Sequence, residues 1–191
     1  MNLLAVDTAA EAFSAAVQAG DKVCSVHKIF AKPHDEVLLP QLDRLLEKAG
    51  LRAADLDAIV AANGPGRFTG IRVGMAYAAV AARCLGKPAL ALTRFSALAF
   101  GRPEKRFAAV VPGFRGEKYL QYFKNGRPDG PPQWLQALPP LDCPVVEGEP
   151  TAAQLLGPAA RALSQKTLPK FEPLYLKPAG YESAKVKAKR S

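Results

Sequence analysis

Asn63-Gly64-Pro65-Gly66-Arg67-Phe68-Thr69-Gly70-Ile71-Arg72-Val73-Gly74 carries more structural information than any other stretch of this chain. Before it, Leu56–Ala62 is a mostly apolar run of strand length, as expected for a strand covered on both faces. After it, the spacing predicts a helix capped by Thr69 and running to Leu85, with Gly86 as its stop and Pro88 beyond. Strand, glycine loop and helix N-terminus make a geometry that cradles anions. The loop fits neither the GxxxxGK(S/T) nor the GxGxxG pattern, and it holds no lysine. The same glycines serve a tight crossover equally well, taking positive φ and letting the helix sit close to the sheet. Both readings stand at this point.

Upstream, Leu3–Val6 reads as a short strand ending at Asp7. Phe13–Ala19 and Val23–Phe30 flank Gly20-Asp21, a tight hairpin turn. Pro33 precedes a helix that starts near His34 or Asp35. Its apolar residues Leu38, Leu39, Leu42, Leu45, Leu46 and Ala49 recur at helical spacing, and Gly50 ends it. Downstream, Ala89–Leu92 is a strand and Ser96–Phe100 begins a short helix. The order β-β-β-α-β-α-β describes a mixed sheet with helices on its faces. Phe107–Val111, Lys118–Phe123 and Val145-Val146 read as further strands. Thr151–Gln165 reads as a helix interrupted by Gly157-Pro158.

The 191 residues hold 26 basic and 17 acidic side chains, a net charge of +9, and are 49% hydrophobic. That composition excludes wholesale disorder and suffices for one large core or two small ones. No apolar run approaches the ~20 residues of a membrane span. The opening MNLLAVDTAA has no basic leader, and Cys24, Cys84 and Cys143 form no CxxC pair. A reduced, cytoplasmic protein without a disulfide framework or zinc ribbon is expected. Residues 1–100 carry 11 basic and 9 acidic residues and 4 prolines; residues 101–191 carry 15, 8 and 13. A boundary is expected at Gly101-Arg102-Pro103, between an N-terminal lobe (1–100) and a smaller, proline-rich basic lobe (101–191).

Several residues are candidates for function. Asp7 ends a buried strand, where a carboxylate is costly unless satisfied. It either bonds turn amides with Thr8 or helps hold a metal-bound nucleotide. Gly70, Gly74 and Ala78 lie four apart on one helix face beside Met75. That face packs on its own sheet or, with Leu38, Leu42 and Leu45 of the leucine-rich helix, docks onto a partner. His27 and His34 do not form a helical metal pair. Trp134 is expected to pack a small second core. The net +7 of the second half, with Lys185, Lys187, Lys189 and Arg190 in the tail, could attract RNA.

Three motifs together give a resemblance. Leu4-Ala5-Val6-Asp7-Thr8-Ala9, His34-Asp35-Glu36-Val37-Leu38-Leu39-Pro40 and the Gly64–Gly74 loop resemble the TsaB (YeaZ) family in order and spacing. Arg115-Gly116-Glu117-Lys118-Tyr119 and Pro173-Leu174-Tyr175-Leu176-Lys177-Pro178 are similar to later stretches of that family. The chain departs from it at Arg67, where serine is usual, and at Pro112, where an aspartate is common.

The resemblance implies an α/β actin-like ATPase (ASKHA, ribonuclease H-like) fold in two lobes, the second reduced. It implies a non-catalytic scaffold subunit in adding threonylcarbamoyl to N6 of the tRNA adenosine next to the anticodon. A TsaD-like catalytic subunit and a TsaE-like ATPase are the expected partners, with a homodimer when alone and tRNA met indirectly or through the basic half. ATP and a metal are expected at the partner subunits, with no cofactor or catalytic residue of its own. The interface is expected at Leu38, Leu42, Leu45, Gly70, Gly74, Met75 and Ala78. Asp7, Thr8, Gly64, Gly66 and Thr69 would be a vestigial nucleotide site. The histidine pair that TsaD-like relatives use for metal falls here on Arg94 and Leu98. The alternative is an independent kinase or hydrolase of this fold.

Overall fold

The computed structural model describes residues 1–177. The basic tail residues Lys185, Lys187, Lys189 and Arg190 lie outside the described residues. The described residues form ten strands in two sheets and four α-helices: β1 (Asn2–Asp7), β2 (Phe13–Ala19), β3 (Lys22–Lys28), α1 (His34–Ala49), β4 (Ala58–Ala62), α2 (Phe68–Leu85), β5 (Ala89–Leu92), α3 (Arg94–Ala99), β6 (Arg106–Pro112), β7 (Lys118–Lys124), β8 (Arg127–Pro128), β9 (Gln133–Leu135), β10 (Val145–Glu147) and α4 (Ala152–Ser164).

The first sheet has the order β3-β2-β1-β4-β5, with β2 antiparallel to its neighbours and the rest parallel to β1. This is the order of the ribonuclease H-like sheet. Alternation along the strands divides it between two cores. Leu4, Val6, Ala15, Val17, Ile59 and Ala61 face α1 and α2, while Leu3, Ala5, Ala16, Val60 and Leu90 face α4. Both faces are covered, which is why β1 and β4 read as unbroken apolar runs.

The second sheet runs β10-β6-β7-β8, with β9 also on β7. Its strands all follow residue 100, and those of the first all precede it. Phe95 and Leu98 of α3 pack on one face against Phe107, Val111, Tyr119 and Phe123, and Trp134 joins that cluster. Helix α4 does not stay with this sheet. It returns to the first one, burying Ala152, Leu155, Leu156 and Ala159 there. A capping box of Thr151 and Gln154 starts it, and the Ala152 N–H donates to the Ser14 hydroxyl at 2.9 Å. Gly157-Pro158 does not break the helix, which continues to Ser164. Proline lacks one N–H and bends a helix, but packing of the face that carries Leu155, Leu156 and Ala159 holds this one together.

Two local expectations change. Helix α2 begins at Phe68 with Arg67 at the N-cap, so Thr69 lies inside the first turn, exposed, and caps nothing. The short helix after β5 begins at Arg94, because Thr93 accepts from the Ser96 N–H at 3.0 Å.

Residues of the expected interface pack within the chain's own core. Leu38, Leu42 and Leu45 are buried against the first sheet, as are Met75 and Ala78. A Cβ on Gly70 would overlap the Thr8 carbonyl oxygen, and one on Gly74 would lie 2.6 Å from Thr8 Oγ1. The small-residue stripe therefore admits β1 and its turn, and it is not open to a second molecule. The apolar residues that α1 and α2 leave outward include Leu39, Ala76, Ala79 and Val80.

Candidate functional site

Strands β1, β4 and β5 run parallel, so their C-terminal ends deliver Asp7, Asn63 and the Thr93-Arg94 pair to one side of the sheet. That edge is where open α/β sheets receive ligands. A cleft of about 890 Å³ opens there. Ala9, Glu11, Gly66, Arg67 and Phe68 line it from the first sheet's side; Pro112, Phe114, Arg115, Glu117 and Tyr119 line it from the second's.

Arg94 lies at its floor, 1% exposed, and each of its three guanidinium nitrogens donates within the chain. Nε donates to Asp7 Oδ2 at 3.0 Å, Nη1 to the Pro65 carbonyl at 3.3 Å and Nη2 to Glu149 Oε1 at 3.5 Å. The second Asp7 oxygen accepts from the Ala9 N–H at 2.9 Å. Both oxygens of the carboxylate are thus used inside the chain. The turn-capping reading of Asp7 holds in part, and an ion pair completes it. A buried carboxylate with a guanidinium on it does not offer a metal-bound phosphate an open ligand, so these residues do not fit that group.

The glycine loop resolves as a tight crossover. Gly64 has φ +119°, a conformation that glycine tolerates best, and a Cβ there would lie 2.6 Å from the Leu174 carbonyl. One on Gly66 would overlap the Ala9 carbonyl. The Arg67 N–H, at the helix start where an anion would bind, donates to the Ala9 carbonyl at 2.7 Å. Thr8 donates its hydroxyl to the Gly70 carbonyl at 2.6 Å. His34 bridges the same turn, its two ring nitrogens each 3.1 Å from the carbonyl oxygens of Thr8 and Glu11. Asp7, Thr8 and Gly64 thus bond other residues of the chain, Asp7 with Ala9 and Arg94, Thr8 with Gly70 and His34, Gly64 with Arg94, while Gly66 packs against Ala9. Thr69 is not among them.

The segment 171–177 crosses the cleft and joins the two cores. Phe171 packs into the first, Leu174 and Leu176 into the second. The Leu174 N–H donates to the Asn63 carbonyl at 2.7 Å, and Asn63 Nδ2 donates to the Glu172 carbonyl at 2.8 Å. Lys177 pairs with Glu117 and lies over the Trp134 ring. Burial first, then the Glu117 charge, raise the Tyr119 phenol pKa above its usual value, so Tyr119 is a neutral wall of the cleft. The roles of Arg94, Glu149 and Tyr175 were not read from the sequence. One signal was available: Arg94 is a lone charge in the apolar run Leu90–Phe100.

The family model described as "TsaD: tRNA N6-adenosine threonylcarbamoyltransferase" matches residues 26–127, more than half of the chain. The chain is 31% identical over 159 residues to a Bacillus subtilis protein named tRNA threonylcarbamoyladenosine biosynthesis protein TsaB, covering 76% of this chain and 69% of that one. It is 34% identical over 189 residues to an uncharacterized protein of Mycobacterium leprae, of which it spans half the length. The solved structure of YeaZ from Pseudomonas aeruginosa superimposes with a TM-score of 0.76 at 26% identity, covering 92% of this chain and 99% of that one. With its three motifs, its two-sheet fold and these relatives, the chain belongs to the TsaB (YeaZ) family.

Proposed function

We propose that this chain is a non-catalytic subunit of the machinery that adds threonylcarbamoyl to N6 of the tRNA adenosine beside the anticodon. It supports a TsaD-like catalytic subunit, with a TsaE-like ATPase in the same assembly, in the cytoplasm. Alone it forms a homodimer. ATP and its metal belong to the partner subunits. The observation that carries this reading is the buried Asp7–Arg94 pair at the cleft floor, which takes the carboxylate that nucleotide chemistry would use. The relatives' names, which tie them to tRNA threonylcarbamoyladenosine biosynthesis, supply the pathway. Among the described residues, no group of three or more His, Cys, Asp or Glu is placed to hold a metal, and no helix is long and apolar enough to cross a membrane.

Two measurements test it. Purified chain with ATP and magnesium should show no turnover at the rates of ordinary enzymes, ~1–10³ per second. Turnover in that range would favour an independent kinase or hydrolase. The second measurement concerns the partner surface, which belongs on the outward residues of α1 and α2. Val80 is 64% exposed, so Val80→Asp should leave the unfolding transition in place and weaken association with the TsaD homologue more than tenfold by calorimetry. Leu42→Asp, at a side chain 1% exposed, should instead unfold the chain, because a carboxylate is put into the core. Normal association of the Val80→Asp protein would remove the interface from that face.

A further inference from the structure

Arginine and aromatic side chains alternate at the mouth of the cleft, on both lips. On the α2 lip, the Phe68 and Tyr175 rings pack at a tilt of 38° with centroids 4.5 Å apart. The Arg72 guanidinium lies 3.8 Å over the Phe68 ring, and its Nε donates to the Tyr175 hydroxyl at 3.2 Å. On the opposite lip, Phe114 is 61% exposed with Arg115 over its ring at 5.1 Å. Arg115 holds φ 56° and ψ 38°, a left-handed conformation unusual for a side chain of its size. That turn projects an exposed phenylalanine toward solvent, which folding alone does not reward.

The charges favour an anion. Glu117 is paired with Lys177, and Asp7 and Glu149 with Arg94. Among the described residues, Arg67, Arg72 and Arg115 pair with no carboxylate, and Glu11 is the one lining acid left over. Exposed rings interleaved with free guanidiniums are the means by which proteins hold unpaired nucleotides: rings stack the bases and arginines take the phosphates. At about 890 Å³ the cleft is at the upper end of the small-ligand range of roughly 300–1,000 Å³, and stacking surfaces stand on two opposed lips. A single metal-bound nucleotide would need the Asp7 corner, which Arg94 fills.

We infer that the cleft mouth binds single-stranded RNA, with bases on Phe68, Tyr175 and Phe114 and phosphates on Arg67, Arg72 and Arg115. The inference rests on the proposed role in tRNA modification for the choice of RNA. Its test needs neither transfer activity nor a partner subunit.

A fluorescein-labelled, unstructured seven-nucleotide RNA is titrated with the full chain, and binding is read by anisotropy at several salt concentrations. Phe114→Ala and Phe68→Ala should each weaken binding roughly five- to 150-fold, the loss of one stacked base. Phe114 is 61% exposed, so Phe114→Ala should not move the unfolding transition; Phe68 packs on Tyr175 and Arg72, so the unfolding transition of Phe68→Ala is measured beside its binding. Arg115→Asn, which tolerates the left-handed backbone, should lower the slope of log affinity against log salt by about 0.7. A blunt RNA duplex should compete poorly. Four results would overturn the inference. In one, the oligonucleotide binds the cleft variants as tightly as the parent chain. In another, binding is abolished by neutralising Lys185, Lys187, Lys189 and Arg190 and ignores the cleft. In the third, ATP at equal nucleotide concentration displaces the RNA completely, which marks a mononucleotide site. If RNA fails to bind while the TsaD homologue still does, the inference falls and the proposed subunit role stands.

Discussion

Asp7→Ala should cost the folded chain about 3–5 kcal/mol, the usual penalty for removing one partner of a buried ion pair. The side chains of Asp7 and Arg94 are 2% and 1% exposed, and the variant would leave the guanidinium without its counter-charge. Glu149 offers little compensation, at 3.5 Å and 40% exposed. Arg94→Met should cost as much, by stranding the carboxylate. The double variant Asp7→Ala with Arg94→Met should lose clearly less than the sum, since apolar replacement of a buried pair is often neutral. Urea unfolding of the four proteins measures the coupling. Additive losses would mean that the two groups do not act as a pair. The same four proteins separate stability from chemistry. Under conditions where the double variant is folded and assembled, threonylcarbamoyl transfer by the reconstituted subunits should persist. Its abolition would give Asp7 a direct part in the reaction and end the scaffold reading.

The second large effect is expected at Gly70. In an exposed helix, replacing glycine with alanine stabilises by about 1 kcal/mol. Here Gly70→Ala should destabilise by about 3 kcal/mol or more, at or beyond the usual cost of overpacking. The added methyl would overlap the Thr8 carbonyl oxygen, a backbone atom of the turn that follows β1 and lies 3.1 Å from a His34 ring nitrogen. No rotamer change can relieve that contact. The Thr8 hydroxyl bond to the Gly70 carbonyl would be lost with it. The outward substitution Ala79→Leu on the same helix should stay within about 0.5 kcal/mol. Thermal or urea unfolding of the pair decides the matter. Unchanged stability of Gly70→Ala would mean that α2 stands away from β1 in solution and that its stripe is free for a partner.

These two residues show how unequal the legibility was. The Gly64–Gly74 loop announced a strand-to-helix crossover, because glycine and proline constrain the backbone locally and need no distant partner to do so. The hairpin turn at Gly20 and the helix stops at Gly50 and Gly86 were legible on the same ground; all three have positive φ. Periodicity likewise marked Leu38, Leu42, Leu45, Met75 and Ala78 as an apolar surface. It could not say what covers that surface. Own core and partner interface use the same residues at the same spacing, and only the folded chain places these five in the core on the first sheet.

The identity of the elements along residues 1–100, the three motifs and the family they indicate are properties of local order, and the amino-acid sequence contained them. The Asp7–Arg94 bond joins residues 87 apart, and nothing in the spacing of either announces the other. Helix α4 follows the second sheet in the chain yet covers the first, because the apolar face left open on β1 and β4 needs a layer and α4 has the stripe to fill it. The cleft draws its walls from residues 9 to 177, so it exists only once both cores have formed and the segment 171–177 has tied them together. Local rules act over a few residues and act alike in every protein. Burial and charge pairing are set by what the rest of the chain brings near, and in this protein they turned a nucleotide-like corner into a closed ion pair.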